Sequence, residues 1–243
     1  MKSQACVRNI RNTFDQSRNM MEHQVGVIFD MDGVLIDSYE AHFESWKRLA
    51  AETQRQYSRE EFVKGFGRTT REVLQEQWTH VELSEERLKK LGDRKEEIFR
   101  EQICNDFPAM PGCRELIEEL KQHGFSLAIG SSGPPDNVNL IVNQLDIGKT
   151  IDVLVTGADV TAGKPNPQVF LLAAEMLNIE PSRCVVVEDA PVGIEAARNA
   201  GMKCVGFAST GRTVEELAET DKVVSSFKEL SWQSFVDIFS QSQ

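Results

Sequence analysis

Val25-Gly26-Val27-Ile28-Phe29-Asp30-Met31-Asp32-Gly33-Val34 is the stretch on which the fold turns. A short run of β-branched and aromatic residues without alternation reads as a strand apolar on both faces, as in a parallel sheet covered by helices. It ends in two aspartates one residue apart, followed by a glycine suited to a turn. Carboxylates at that spacing beyond a strand end can share a cation or divide nucleophile and acid/base roles. The same string also occurs in solvated turns and in calcium loops. A calcium loop needs further oxygen ligands ending in a glutamate, and Val34, Leu35 and Ile36 stand there instead.

Working outward, further strand-like runs lie at Ser126–Gly130, Val153–Thr156, Cys184–Val187, Cys204–Phe207 and Val223–Val224. Helical patterns separate them: Arg114–His123 closed by Gly124, Pro165–Leu177, Gly193–Ala200 closed by Gly201, and Val214–Glu219. Strand, helix, strand in repetition predicts an α/β fold with a Rossmann-like, doubly wound parallel sheet. After the first strand the pattern changes. Tyr39–Glu52 reads as a helix, Ser58 with Glu61 and Thr69 with Glu72 form capping-box pairs, and Ser84 opens a charged helix to about Cys104. The sheet pattern resumes only after Pro108 and Pro111. The expected organisation is an N-terminal arm (1–24), a core (25–37 and 110–243) and an inserted all-helical cap domain (38–109), placed over the strand ends as a lid.

The chain has 243 residues, 40% of them hydrophobic, enough for a sizeable core. Its formal charge of −11 disfavours nucleic acid and anionic lipid as partners, and no apolar run approaches the ~20 residues of a bilayer span. Five cysteines, at 6, 104, 113, 184 and 204, are scattered and include no CxxC pair, which points to reduced intracellular thiols. Residues 1–24 carry Arg8, Arg11 and Arg18 but no uninterrupted apolar stretch, and Asp15 and Glu22 argue against a transit peptide. A cytoplasmic monomer or small homo-oligomer acting on a small molecule is expected.

Other strand ends carry complementary groups. Ser131-Ser132-Gly133 offers hydroxyls and amides near a helix start, suited to phosphate oxygens, although serine-rich turns are common. Gly163-Lys164-Pro165-Asn166-Pro167 sets a lysine just before a helix whose first turn would contain Pro165. Glu188-Asp189 closes a strand too apolar to be solvated, and acids there need a partner such as a divalent cation. Each signal is modest alone; their order places them all at one crevice.

In that order the chain resembles the haloacid dehalogenase superfamily, with all four family motifs between Val25 and the C-terminus. The helical insertion resembles the subgroup of β-phosphoglucomutase and of phosphoglycolate and small sugar-phosphate phosphatases. The resemblance implies Asp30 as nucleophile forming an aspartyl-phosphate, and Asp32 as general acid and then base. Ser131 would hydrogen-bond the phosphoryl group with Ser132 beside it on the substrate, and Lys164 would neutralise charge. Mg2+ would be held by Asp30, the Asp32 main-chain carbonyl, and Asp189 assisted by Glu188. It further implies cap roles for His42, for Arg68 in Lys64-Gly65-Phe66-Gly67-Arg68, and for Lys95. Each has an ordinary alternative. His42 could merely cap or pack, Trp46 belongs in a cap core, and Lys95 lies in Arg94-Lys95-Glu96-Glu97, where a solvated face is usual. One departure concerns Gly133-Pro134-Pro135, which offers a single backbone N–H where the mutase has polar donors for a second phosphate. The expected function is therefore a Mg2+-dependent phosphatase of a sugar phosphate or phosphoglycolate-like metabolite. The alternatives are a phosphomutase with the same intermediate and a non-catalytic binding protein on the same fold.

Overall fold

A computed structural model describes residues 24–66 and 68–240; most of the arm and Gly67 lie outside the described residues. Six strands form one sheet: β1 (Gly26–Phe29), β2 (Ser126–Gly130), β3 (Val153–Val155), β4 (Cys184–Glu188), β5 (Lys203–Phe207) and β6 (Lys222–Val224). Their order is β3-β2-β1-β4-β5-β6, with every neighbouring pair parallel. Phe29 is in register with Ile129 on one side and Val187 on the other, so the ends of β1, β2 and β4 lie close together. Along β1, Val27 and Phe29 enter one apolar layer and Ile28 the other. That double burial is why the run has no polar position.

The first layer is completed by α5 (Cys113–Gln122), α6 (Pro135–Gln144) and α9 (Trp232–Ser240), through Leu116, Ile117, Val138, Ile141 and Phe235. The second is completed by α7 (Gln168–Leu177) and α8 (Pro191–Asn199), through Phe170, Ala173, Ile194 and Ala197. Between β1 and α5 the chain is helical: α1 (Tyr39–Glu52), α2 (Arg59–Gly65), α3 (Thr70–Gln77) and α4 (Glu85–Asn105). These four bury an apolar cluster of their own, with Trp46, Phe62, Leu74, Trp78 and Ile98 in it. Both expected capping boxes form, Ser58 with Glu61 and Thr69 with Glu72, and they satisfy backbone N–H groups that a helix start leaves orphaned. The chain enters and leaves this cap side by side. Asp37 N donates to Pro108 O (2.8 Å), Met110 N to Leu35 O (3.0 Å), and Ile36 bridges Ala109.

Several local expectations are corrected. Pro165 is not in the first turn of α7, which starts at Gln168 with Pro167 as N-cap. Residues 163–166 instead make a turn closed by Asn166 N and Gly163 O (3.0 Å), and the ion pairs of Lys164 draw that turn inward. Val214–Glu219 shrinks to a 3-10 turn at Glu215–Leu217, because Leu217 alone is buried there and one apolar side chain cannot hold a full helix. α8 begins at Pro191, two residues before Gly193. Among the described residues no helix is long and apolar enough to cross a membrane.

Candidate active site

The backbone of Asp30 continues the sheet one residue beyond β1, its N–H donating to Val187 O (2.9 Å). The chain then folds back, with Leu35 N on Met31 O and Gly33 N on Ile36 O (both 2.9 Å). Gly33 sits at φ 81°, and a Cβ there would lie 2.1 Å from Asp189 Oδ2, so conformation and space both demand glycine. Lys164 Nζ lies 2.5 Å from Asp30 Oδ1 and 2.7 Å from Glu188 Oε1. The other Glu188 oxygen accepts from Ala190 N (2.7 Å), and Asp189 accepts from Ser209 Oγ (3.1 Å). Carboxylate oxygens of Asp30, Glu188 and Asp189 lie within 4.8 Å of one another, all buried.

Three acids against one ammonium leave negative charge uncompensated. Burial pushes the Asp30 carboxyl up to about 7; Lys164 pulls against it, and Glu188 and Asp32 add to it. Burial, with Glu188 and Asp30 alongside, drives Asp189 far above the usual carboxylate range. Against its own burial, Asp30 and Glu188 hold Lys164 above its ordinary value. Buried hard oxygens with excess negative charge are the donor set that a divalent cation fits.

Asp32 reaches the cap. His42 on α1 contacts Asp32 Oδ1 through Nε2 (2.9 Å), and Lys95 on α4 contacts His42 Nδ1 (2.8 Å). An ammonium only donates, so Nδ1 accepts from Lys95 and Nε2 carries the hydrogen given to Asp32. The imidazole is stacked on Phe99 at 3.9 Å, and Lys95 Nζ lies 5.2 Å from the Trp46 ring. Although burial pulls it upward, the His42 contact holds Asp32 below the usual carboxylate range, with Lys95 assisting. Lys95 also pairs with Glu96 (3.0 Å), which accepts from Thr70 Oγ1 and from Asn137 Nδ2 (2.7 Å) on α6. Arg100 donates to Asn137 Oδ1 (2.9 Å).

The structure thus brings Asp30, Asp32, Lys164, Glu188, Asp189, His42 and Lys95 together. Ser132 and Arg68 line the same cleft, Arg68 ion-paired with Glu76. Ser131 is buried, and its Oγ accepts from Gly133 N (2.9 Å), so the single N–H of Gly133-Pro134-Pro135 is already committed. The solvated-face reading of Arg94-Lys95-Glu96-Glu97 is overturned for its middle pair. Lys95 and Glu96 are 3% and 7% exposed, because they share the inward stripe of α4 with Phe99. Trp46 is cap core as expected. Glu96, Asn137 and Thr70 line the cleft and are not legible in sequence, apart from the helical phase that puts Glu96 beside Lys95.

The loop after β5 runs along the seam between sheet and cap. Ser209 bonds Asp189 and Thr210 Oγ1 donates to Asp37 Oδ2 (2.7 Å). Gly211 lies against the Tyr39 ring, and the Arg212 guanidinium lies 5.3 Å from the Phe66 ring. With the cap seated this way, the cleft keeps a cavity of about 70 Å³, below the ~300 Å³ where small-molecule sites begin.

The profile of the haloacid dehalogenase-like hydrolases matches residues 27–207. Validoxylamine A 7'-phosphate phosphatase of Streptomyces hygroscopicus subsp. limoneus is 34% identical over 212 residues, 84% of this chain and 95% of its own. Beta-phosphoglucomutase of Bacillus subtilis (strain 168) is 33% identical over 191 residues, 74% of this chain and 81% of its own. The crystal structure of a HAD hydrolase, family IA, variant 3, from Entamoeba histolytica HM-1:IMSS superposes with TM-score 0.82 at 27% identity, over 90% of this chain and 100% of that one. The chain belongs to the haloacid dehalogenase-like hydrolases and is an enzyme of the phosphoric monoester hydrolase type.

Proposed function

We propose that this haloacid dehalogenase-like hydrolase is a Mg2+-dependent phosphatase of a small phosphorylated metabolite, working through an aspartyl-phosphate on Asp30. The observation that carries the reading is the buried set Asp30, Lys164, Glu188 and Asp189 at the end of β1, with Asp32 two residues on. Mg2+ would be held by Asp30, Glu188 and Asp189 with the Asp32 main-chain carbonyl. When bound it supplies charge neutralisation at the phosphoryl oxygens. Asp30 attacks phosphorus, and Lys164 offsets charge between nucleophile and phosphoryl group. The Ser131 hydroxyl, whose oxygen accepts from Gly133 N, donates its own hydrogen to a phosphoryl oxygen, with Ser132 alongside. Asp32 takes up a proton when the open cap withdraws His42 from it, gives that proton to the leaving oxygen, then takes one from the water that opens the acyl-phosphate. Residues 38–109 act as the lid: a cavity of about 70 Å³ must open to admit a metabolite. His42, Lys95 and Arg68 are its substrate-side contacts. Free cysteines and a charge of −11 fit a cytoplasmic enzyme of a small substrate.

The tie of Asp32 to the cap through His42 favours a second reading, a phosphomutase that withholds its base from water until the cap closes. The committed N–H of Gly133 and the donorless Pro134 and Pro135 weigh against it, since a second phosphate would lack partners. Phosphate release from sugar phosphates, with and without Mg2+, tests the first reading. Asp30→Asn should lose more than ~99% of activity with an unchanged circular dichroism spectrum. Isomerised sugar phosphate formed faster than free phosphate would establish the mutase.

A further inference from the structure

Glu96 is an ionised carboxylate in the wall of a phosphate-ester site, where a second anion-binding group would be the more obvious equipment. Its Oε1 accepts from Thr70 and Lys95, and its Oε2 from Asn137. A carboxylate offers about four acceptor positions, so one remains, on Oε2. Although burial pulls it upward, Lys95, His42 and the Thr70 hydroxyl hold Glu96 below the usual carboxylate range.

The cations of the cleft are each matched by acids. Lys164 lies between Asp30 and Glu188, Lys95 against Glu96, and Arg68 against Glu76. The Asn137 amide is used at both ends, by Glu96 and Arg100. Beyond the phosphoryl position the lining that remains is largely apolar, from Trp46, Phe62, Phe66, Val73 and Gly65. Such a pocket takes a group that is apolar on its C–H faces and brings its own hydrogen-bond donors.

We infer that Glu96 sets the substrate class: a phosphomonoester whose leaving group is an uncharged polyol or sugar, donating a hydroxyl to Glu96 Oε2, and not one carrying a second phosphate or a carboxylate. The inference rests on the phosphatase reading and narrows it, removing phosphoglycolate-like acids and bisphosphates. The discrimination has a definite size. Lys95, 3.0 Å from Glu96, offsets much of its charge, so a substrate carboxylate is disfavoured chiefly by the charge-assisted hydrogen bond it cannot donate to Oε2, about tenfold.

Sorbitol 6-phosphate and 6-phosphogluconate test it, because both are open-chain and differ only in a CH2OH or carboxylate at C1. Each is measured as a competitor of p-nitrophenyl phosphate hydrolysis in Mg2+, which reads occupancy whether or not the competitor is turned over, and then for its own kcat and KM. Sorbitol 6-phosphate should compete about tenfold more strongly. In Glu96→Gln that ratio should fall at least about threefold, through tighter binding of the gluconate compound and a raised KM for the sorbitol one. Equal competition by the two compounds in the wild type, or none by either, overturns the inference. So does a folded Glu96→Gln protein with the wild-type ratio. Should that variant not fold, calorimetric binding of both compounds to Asp30→Asn decides between the same outcomes. A wild-type protein that releases no phosphate even from p-nitrophenyl phosphate defeats the phosphatase reading itself, and the inference with it.

Discussion

His42 sets the protonation of Asp32 in the seated cap, and its removal has a predictable sign. His42→Phe keeps the stack on Phe99 but deletes both nitrogens, so the contact that holds Asp32 low is lost and its pKa rises. With p-nitrophenyl phosphate, whose leaving group needs no proton, Asp32 acts only in opening the acyl-phosphate, so the acid limb of kcat against pH should move to higher pH. An unmoved limb would remove Asp32 from the base role. Asp30 follows β1 and Glu188 ends β4, where strand register converts chain position into place, whereas Lys164 was legible from its place in the turn before a helix. Glu96 and Asn137 meet across 41 residues of sequence between two helices, and neither has a local pattern that announces the other.

Capping carries the clearest element-scale prediction. Thr69 closes a capping box on α3, a helix of only 8 residues, so Thr69→Ala should cost about 1 kcal/mol in urea unfolding. A loss of under ~0.3 kcal/mol would mean that packing of Val73 and Leu74 alone holds α3 in place. Capping boxes are readable because both partners lie within four residues. Strand runs were readable because burial on both faces removes polar positions. Sequence reading failed where tertiary contacts decide: Lys164 bends the approach to α7, and α9 is held by Phe235 and Ile238 against a layer assembled from distant strands.

At the scale of the whole molecule, the acid cluster couples stability to pH and to cations. Asp30, raised to about 7, and Asp189, raised well above the usual carboxylate range, bind protons in the folded state that the unfolded chain has already released above pH ~4. Folded-state proton excess means that stability falls as pH rises, so metal-free protein should melt at a lower temperature at pH 8 than at pH 5.5. Mg2+ should raise the melting temperature more at the higher pH. Melts in EDTA and in Mg2+ at both values check this, and a metal-free melting temperature that rises with pH would contradict it. The loop 209–212 gives that coupling a mechanical side. Within four successive residues it touches a cluster acid, the crossover acid Asp37 and two cap rings. If the cluster holds Mg2+ as proposed, cap posture and ion occupancy are conjugate variables, and reciprocity requires each to bias the other by the same factor. Thr210→Val, which touches no cluster oxygen, should weaken Mg2+ about fivefold by isothermal calorimetry. The same loosening should appear as faster hydrogen exchange along α1 when the ion is withdrawn, so that an event at the metal is audible in a helix that never meets it.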